Sequence, residues 1–188
     1  MKNSHAGEGL SRRSFFGFGL ALAGGAAANG LLSPMAEAAI GAPRRLSFYH
    51  THTGERLTAT YWEKGGYVPD ALAEIDYILR DFVNGERRII DRRLLDLLTA
   101  IHRNLGSRAP FEIISAYRSP STNEMLRAHG DGVAKNSYHL RAMAIDIRLA
   151  DVPLHQLRAA AVELQRGGVG IYPASNFVHV DTGPVRYW

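Results

Sequence analysis

Ser137-Tyr138-His139-Leu140-Arg141-Ala142-Met143-Ala144-Ile145-Asp146 and, farther along, Phe177-Val178-His179-Val180-Asp181 decide how this chain reads. Together they carry two imidazoles and a carboxylate, a donor set that can hold a catalytic metal. Three protein ligands leave the fourth tetrahedral position for water, which distinguishes a hydrolytic site from a closed structural one. On one straight strand His139 and Asp146 would point to opposite faces, because side chains alternate. His139 instead falls in a loop before the strand and Asp146 within it, so a bend can aim both at one point. His179 would join them from a separate short strand.

Working outward, Met143 to Leu149 reads as a strand, preceded by a polar, glycine-containing loop from Asp131 to Tyr138. Upstream, Phe111 to Ser115 is a buried strand leading into Tyr117-Arg118-Ser119-Pro120. Ser119 suits an N-cap and Pro120 a first helical residue, so a short helix runs to His129, where Gly130 stops it. Leu46 to His50 and Arg56 to Trp62 form two strands around a polar turn with Gly54. Asp70 caps a helix with Leu72, Ile75, Leu79 and Phe82 on one stripe. Asp91 caps a second, with Leu94, Leu95, Leu98, Ile101 and Leu105 inside and Gly106 at its end. Downstream come a helix from Leu154 to Arg166 and short strands at Val169 to Tyr172, Phe177 to Asp181 and Val185 to Trp188. The expected class is α+β, a small antiparallel sheet with packed helices.

The chain has 188 residues, 46% hydrophobic and 21% charged, which suits one globular domain. Its net charge of +4 is spread among acids rather than gathered in a stripe, which argues against nucleic acid as a partner. A mildly basic surface suits an anionic polymer such as a bacterial wall. There is no cysteine, so disulfides, thiolate ligands, a cysteine nucleophile and a lipidated cysteine are excluded.

Ser11-Arg12-Arg13-Ser14-Phe15-Phe16 resembles a twin-arginine export signal, and a mildly apolar stretch from Gly17 to Leu32 follows. Ala36 and Ala38 give the small-x-small cleavage pattern, which divides the chain into a removed segment, 1–38, and a single domain, 39–188. A permanent membrane anchor is not expected, because a span needs roughly 20 strongly apolar residues and Gly24, Gly25, Asn29 and Gly30 dilute this one. The twin-arginine machinery is thus an expected partner and the periplasm the expected location. No heptad run is present, so a monomer is expected.

Other candidates read as structural. His50 and His52 share a strand face but have no third ligand nearby in sequence, and are taken as surface side chains. His102 lies within a helix and has no chemistry attached. Gly167-Gly168-Val169-Gly170 lacks the Lys and Ser/Thr of a phosphate loop, so its glycines end a helix and start a turn.

From Tyr49 to Trp188 the chain resembles a bacterial family, first listed as of unknown function, grouped with M15-type zinc peptidases of the D-Ala-D-Ala, hedgehog-like kind. Its members include a murein endopeptidase. The resemblance is carried by Ile114-Ser115-Ala116-Tyr117-Arg118-Ser119-Pro120 through Asn123, by Ser137 through Asp146, and by Gly167 to Gly170 through His179-Val180-Asp181-Thr182-Gly183. It implies Zn2+ on His139, Asp146 and His179, with Arg118 as the site arginine. Zinc polarises a scissile carbonyl and lowers the pKa of water from 15.7 toward about 7. A guanidinium beside it can bond the carbonyl oxygen as charge develops, or hold a substrate carboxylate.

Two departures stand out. Ala142 occupies a position usually held by glycine. Related peptidases carry an acid where Asn176 stands, or a histidine where Phe177 stands. Asp181 is the nearest acid, as general base or as the partner that orients His179. Ser137 and Tyr138, flanking the first ligand, are candidate substrate contacts. The implied activity is hydrolysis of amide bonds in peptidoglycan stem peptides or cross-links. A D-amino-acid carboxypeptidase of the same chemistry, or a non-catalytic wall-binding module with a vestigial zinc site, are the alternatives.

Overall fold

Leu46 and Phe48 on strand β1 (Arg44–His50) and Ala59 and Tyr61 on β2 (Arg56–Glu63) turn inward and are buried, while Ser47 and Thr58 bond each other on the outer face. This is the expected hairpin. His50 is buried as well, contrary to the expected surface position, because the alternation that carries Leu46 and Phe48 into the core carries it too. His52 lies beyond the strand and is exposed. β3 (Gly66–Tyr67) extends the hairpin through Lys64-Gly65, both at positive φ, the turn geometry that matches strand twist. The computed structural model describes residues 41–130 and 133–188. The export segment read at residues 1–38 lies outside these, as do Asp131 and Gly132 of the loop before His139.

Helix α1 (Pro69–Ile78) has Val68, not Asp70, at its N-cap, and no side chain caps it. Pro69 explains this, since its fixed φ starts a helix without a capping bond. Asp70 lies in the first turn, where its charge suits the positive end of the helix dipole. Leu72, Ile75 and Leu79 are buried as read, but the helix stops at Ile78, so Phe82 leaves the stripe and is exposed. α2 (Arg92–Leu105) follows expectation: the Asp91 carboxylate accepts from the Arg93 amide at 3.0 Å, and Gly106 closes it at φ 64°. Leu94, Leu95, Leu98 and Ile101 are fully buried, each contributing about 1.5–3 kcal/mol. His102 stacks on Phe111 with centroids 4.0 Å apart, a packing role.

β4 (Phe111–Ser115), α3 (Pro120–His129) and β5 (Ala144–Arg148) come next, with Ser119 Oγ accepting from the Thr122 amide at 3.2 Å as the α3 cap. α4 (Leu154–Glu163) ends before the expected Arg166, where Gln165 swings to positive φ. β6 (Gly168–Tyr172), β7 (Phe177–Asp181) and β8 (Arg186–Tyr187) complete the chain. Among the described residues no helix is long and apolar enough to cross a membrane.

The class is α+β. The strands join in the order β3-β2-β1-β4-β5-β7-β6-β8, parallel at β1–β4 and β6–β8 and antiparallel elsewhere. The sheet is therefore mixed and continuous rather than small and purely antiparallel. Pairing between β1 and β4, distant in sequence, leaves no mark on local alternation. Ile145, Ile147, Val178 and Val180 join one core with Leu94, Leu98, Leu157 and Ala161. The alternate residues of β5 and β7, Asp146, His179 and Asp181, face the other side of the sheet.

Candidate metal centre and its cleft

The antiparallel register of β5 and β7 sets Asp146 directly opposite His179, and the 3-10 turn Tyr138–Arg141 brings His139 onto the same spot. Asp146 Oδ1 is 2.8 Å from His179 Nδ1 and 3.3 Å from His139 Nε2, and the two imidazole nitrogens are 3.2 Å apart. All three residues are buried. The outer nitrogens of both rings have fixed partners. His139 Nδ1 donates to the Ala116 carbonyl at 2.6 Å, because a carbonyl can only accept. His179 Nε2 donates to Asp181 Oδ2 at 2.9 Å. Both tautomers thus place the inner nitrogens toward Asp146, the arrangement that suits metal-ligating histidines.

These three residues form a group that can hold a metal ion. A tetrahedral ion with ligands at about 2.0–2.1 Å separates its donor atoms by roughly 3.3 Å. The observed spacings approach that value, and a nitrogen and carboxylate set suits zinc. Burial opposes charge on Asp146, but His139 and His179 outweigh it and hold its carboxyl well below the usual range. Burial also opposes charge on His179, yet its bonds to Asp146 and Asp181 raise it to about 9.

Arg118 stands beside the group, its guanidinium 3.8 Å from Asp146 Oδ2 and bonded to Asn123 and Ser115 at 3.3 Å. Its Nε is buried and unpartnered among the described residues. The backbone ties it to the ligand turn, since the Arg118 amide donates to the His139 carbonyl. Ser137 Oγ accepts from the His139 amide at 3.3 Å and caps that turn. Ala142, at the position where the resembled pattern usually has glycine, closes the turn at φ 54° and is fully buried. A left-handed alanine costs roughly 1–2 kcal/mol, which its bonds to His139 and Asp91 must offset.

Asp181 is wholly buried. Its Oδ1 accepts from the amides of Gly168 and Gly183, and Arg186 grips both oxygens at 3.1 and 2.6 Å. Neither oxygen is left free for water. Three glycines make room here. A Cβ on Gly168 would strike Asp181 and Arg186, one on Gly170 the Trp188 indole, and one on Gly183 the Tyr138 ring. The glycine run read as a helix end and turn therefore also forms the seat of a side-chain cluster. Arg186 and Trp188 were not singled out from the sequence. Only the pairing of β8 beside β6 places them there.

A cleft of about 800 Å3 lies over the group, its lining including His52 and Phe82 as well as Tyr172, Phe177 and Trp188. Ser115, Arg118, Ser137, Tyr138, His139, Asp146 and His179 also line it. The His52 and Phe82 rings stack 4.3 Å apart, and Trp188 Nε1 donates to the Tyr172 hydroxyl at 2.8 Å. A second hollow of about 790 Å3, near Arg44, Asp96 and Glu163, contains none of the metal-binding group, and its charges are partly paired.

A family model described as "Peptidoglycan L,D-endopeptidase MepK" matches residues 38–188. "Probable peptidoglycan L,D-endopeptidase MepK" of Haemophilus influenzae is 48% identical over 147 residues, 78% of this chain and 79% of that protein. "Peptidoglycan L,D-endopeptidase MepK" of Escherichia coli K12 is 42% identical over 171 residues, 90% and 94% of the two chains. No solved structure gives a significant match. With most of its length matched by both the family model and these relatives, the chain belongs to the M15-type peptidase family described as peptidoglycan L,D-endopeptidase MepK.

Proposed function

We propose that the chain is an exported zinc endopeptidase that hydrolyses amide bonds between L- and D-centres in peptidoglycan peptides. One observation carries this reading: three donor atoms within 2.8–3.3 Å of one another, on and beside two interior strands of the sheet, line a cleft of about 800 Å3. The central position favours a bond inside a chain, because β1 and β4 flank the group on one side and β6 and β8 on the other. The names of the relatives supply the substrate class and the L,D bond.

His139 Nε2, Asp146 and His179 Nδ1 would hold the ion. Zinc bound there supplies Lewis-acid polarisation of the scissile carbonyl and of water. Arg118, buried beside Asp146, donates to the carbonyl oxygen as negative charge develops, in a site dry enough to strengthen that bond. Ser137 and Tyr138, on the cleft wall, contact the peptide backbone. Of the two roles read for Asp181, we assign it the orienting one, since its oxygens bond His179, Arg186 and two amides rather than the cleft. Residues 1–38 would act as the twin-arginine signal and deliver the domain to the periplasm, where peptidoglycan lies.

The test is digestion of purified sacculi by the zinc-loaded chain, followed by muropeptide analysis. Split cross-linked peptides support the reading, provided that His139→Ala and the zinc-free chain release none. Release of single terminal amino acids would make it a carboxypeptidase. Binding without turnover would make it a wall-binding module.

A further inference from the structure

Arg186 lies outside the metal-binding group and touches none of its three residues in hydrogen bonding, yet it is held with unusual care. Its guanidinium meets Asp181 by two bonds, at 2.6 and 3.1 Å, in the fork geometry that only arginine provides. It lies over the Tyr138 ring at 4.9 Å and beside the Trp188 ring at 5.1 Å. Gly168, paired with Arg186 across β6 and β8, leaves the space in which the guanidinium and the carboxylate meet, and Gly170 and Gly183 seat the two flanking rings.

The oxygen that Arg186 grips most closely, Asp181 Oδ2, is also the one that accepts from His179 Nε2. Asp181 is fully buried, and the two Arg186 bonds fix the plane of its carboxylate. Without them the carboxylate would be free to rotate away from His179 Nε2, and the ring would lose the bond that turns Nδ1 toward Asp146 and His139.

We infer that Arg186 is a positioning residue for the metal centre: its paired bonds fix Asp181, which fixes the ring and tautomer of His179. This rests on the reading of His179 as a zinc ligand. The order of action runs from Arg186 through Asp181 to His179, so the effect of removing Arg186 must depend on Asp181.

Zinc affinity of the full chain, measured at pH 7 by competition with a chromophoric chelator, tests the chain of contacts. Asp181→Asn is expected to weaken zinc binding by about 10–100-fold, as for other partners of ligating histidines. Arg186→Gln should cost about tenfold, and Arg186→Lys, which keeps the charge but loses the fork, about threefold. In the Asp181→Asn background, Arg186→Gln should change affinity by less than about twofold, the coupling expected of residues in one network. Wild-type zinc affinity in a folded Arg186→Gln, with KM alone raised, would overturn the inference and make Arg186 a substrate contact. An equal loss in both backgrounds would also overturn it. Should Arg186→Gln fail to fold, unchanged affinity in Arg186→Lys decides against it. A wild-type chain that binds no zinc overturns the underlying reading as well.

Discussion

Asp146 and His179 face each other across β5 and β7 with Oδ1 2.8 Å from Nδ1, so in the metal-free chain a proton holds together what a metal would hold when bound. His179 is raised to about 9, since its bonds to the two carboxylates outweigh burial. A histidine with a raised folded pKa gives stability that is complete below its unfolded value near 6.5 and is lost as pH climbs through about 9. The metal-free chain should therefore lose Tm between about pH 6.5 and 9. Zinc binding must expel that proton, so apparent affinity should rise with pH up to about 9. Calorimetry in buffers of different ionisation enthalpy should count close to one proton released per zinc at pH 7.

Arg118 and Asp146 are 3.8 Å apart, so Arg118 has two readings with different consequences. If it stabilises charge on the substrate, Arg118→Ala should bind zinc nearly as wild type while kcat falls by about 10²–10³-fold. If it chiefly balances Asp146, zinc affinity and stability should fall together. Parallel measurement of zinc stoichiometry and muropeptide release separates the two, and the first outcome is expected.

That His139, Asp146 and His179 come together was legible in the sequence, because the family resemblance marks all three and a loop followed by a strand suffices to turn His139 toward Asp146. What local pattern could not show was pairing across distance. Arg186 and Trp188 reach the site only because β8 lies parallel to β6, and the spacing of Gly168 and Gly170 gains its meaning from that register. His50 was misplaced for a related reason: alternation was visible, but which face met the helices was not. Phe82 fitted the apolar stripe of α1 by spacing alone, although the helix had ended four residues earlier at Ile78.

Asp81 ties the loop after α1 to the start of α3, accepting from the Ser119 amide at 2.8 Å and the Val83 amide at 2.9 Å while almost wholly buried. Burial opposes its charge, but bonds from Thr122, Ser119 and Val83 win and lower its pKa. A depressed carboxyl stabilises above its unfolded value near 3.9 and loses that contribution as pH falls toward its folded value. Asp81→Asn should thus destabilise the chain at pH 7 by about 1–3 kcal/mol, with the gap to wild type closing in acid. Urea titrations from pH 7 down to pH 3 read this directly.

Gly170 lies opposite His179 in the β6–β7 register, and the Trp188 indole fills the space a side chain would take. Gly170→Ala should push the indole into the cleft, at a cost of about 1–3 kcal/mol for overpacking. It should raise KM while zinc affinity holds. Trp188→Ala in the same chain should remove most of the stability loss, a non-additive result that two independent sites would not give.

Arg12 and Arg13 precede a stretch whose glycines make it a weak membrane span, and they differ from two lysines in the planar guanidinium group and not in net charge. A receptor that reads the pair should therefore reject Arg12→Lys/Arg13→Lys, whereas an export route that needs only positive charge should accept it. Fractionation of cells making the full chain should find the wild type in the periplasm with Ala39 at its new amino terminus. The double variant should remain in the cytoplasm at full length. Periplasmic accumulation of that variant would show that charge alone directs export, and a new amino terminus elsewhere would move the domain boundary from Ala38.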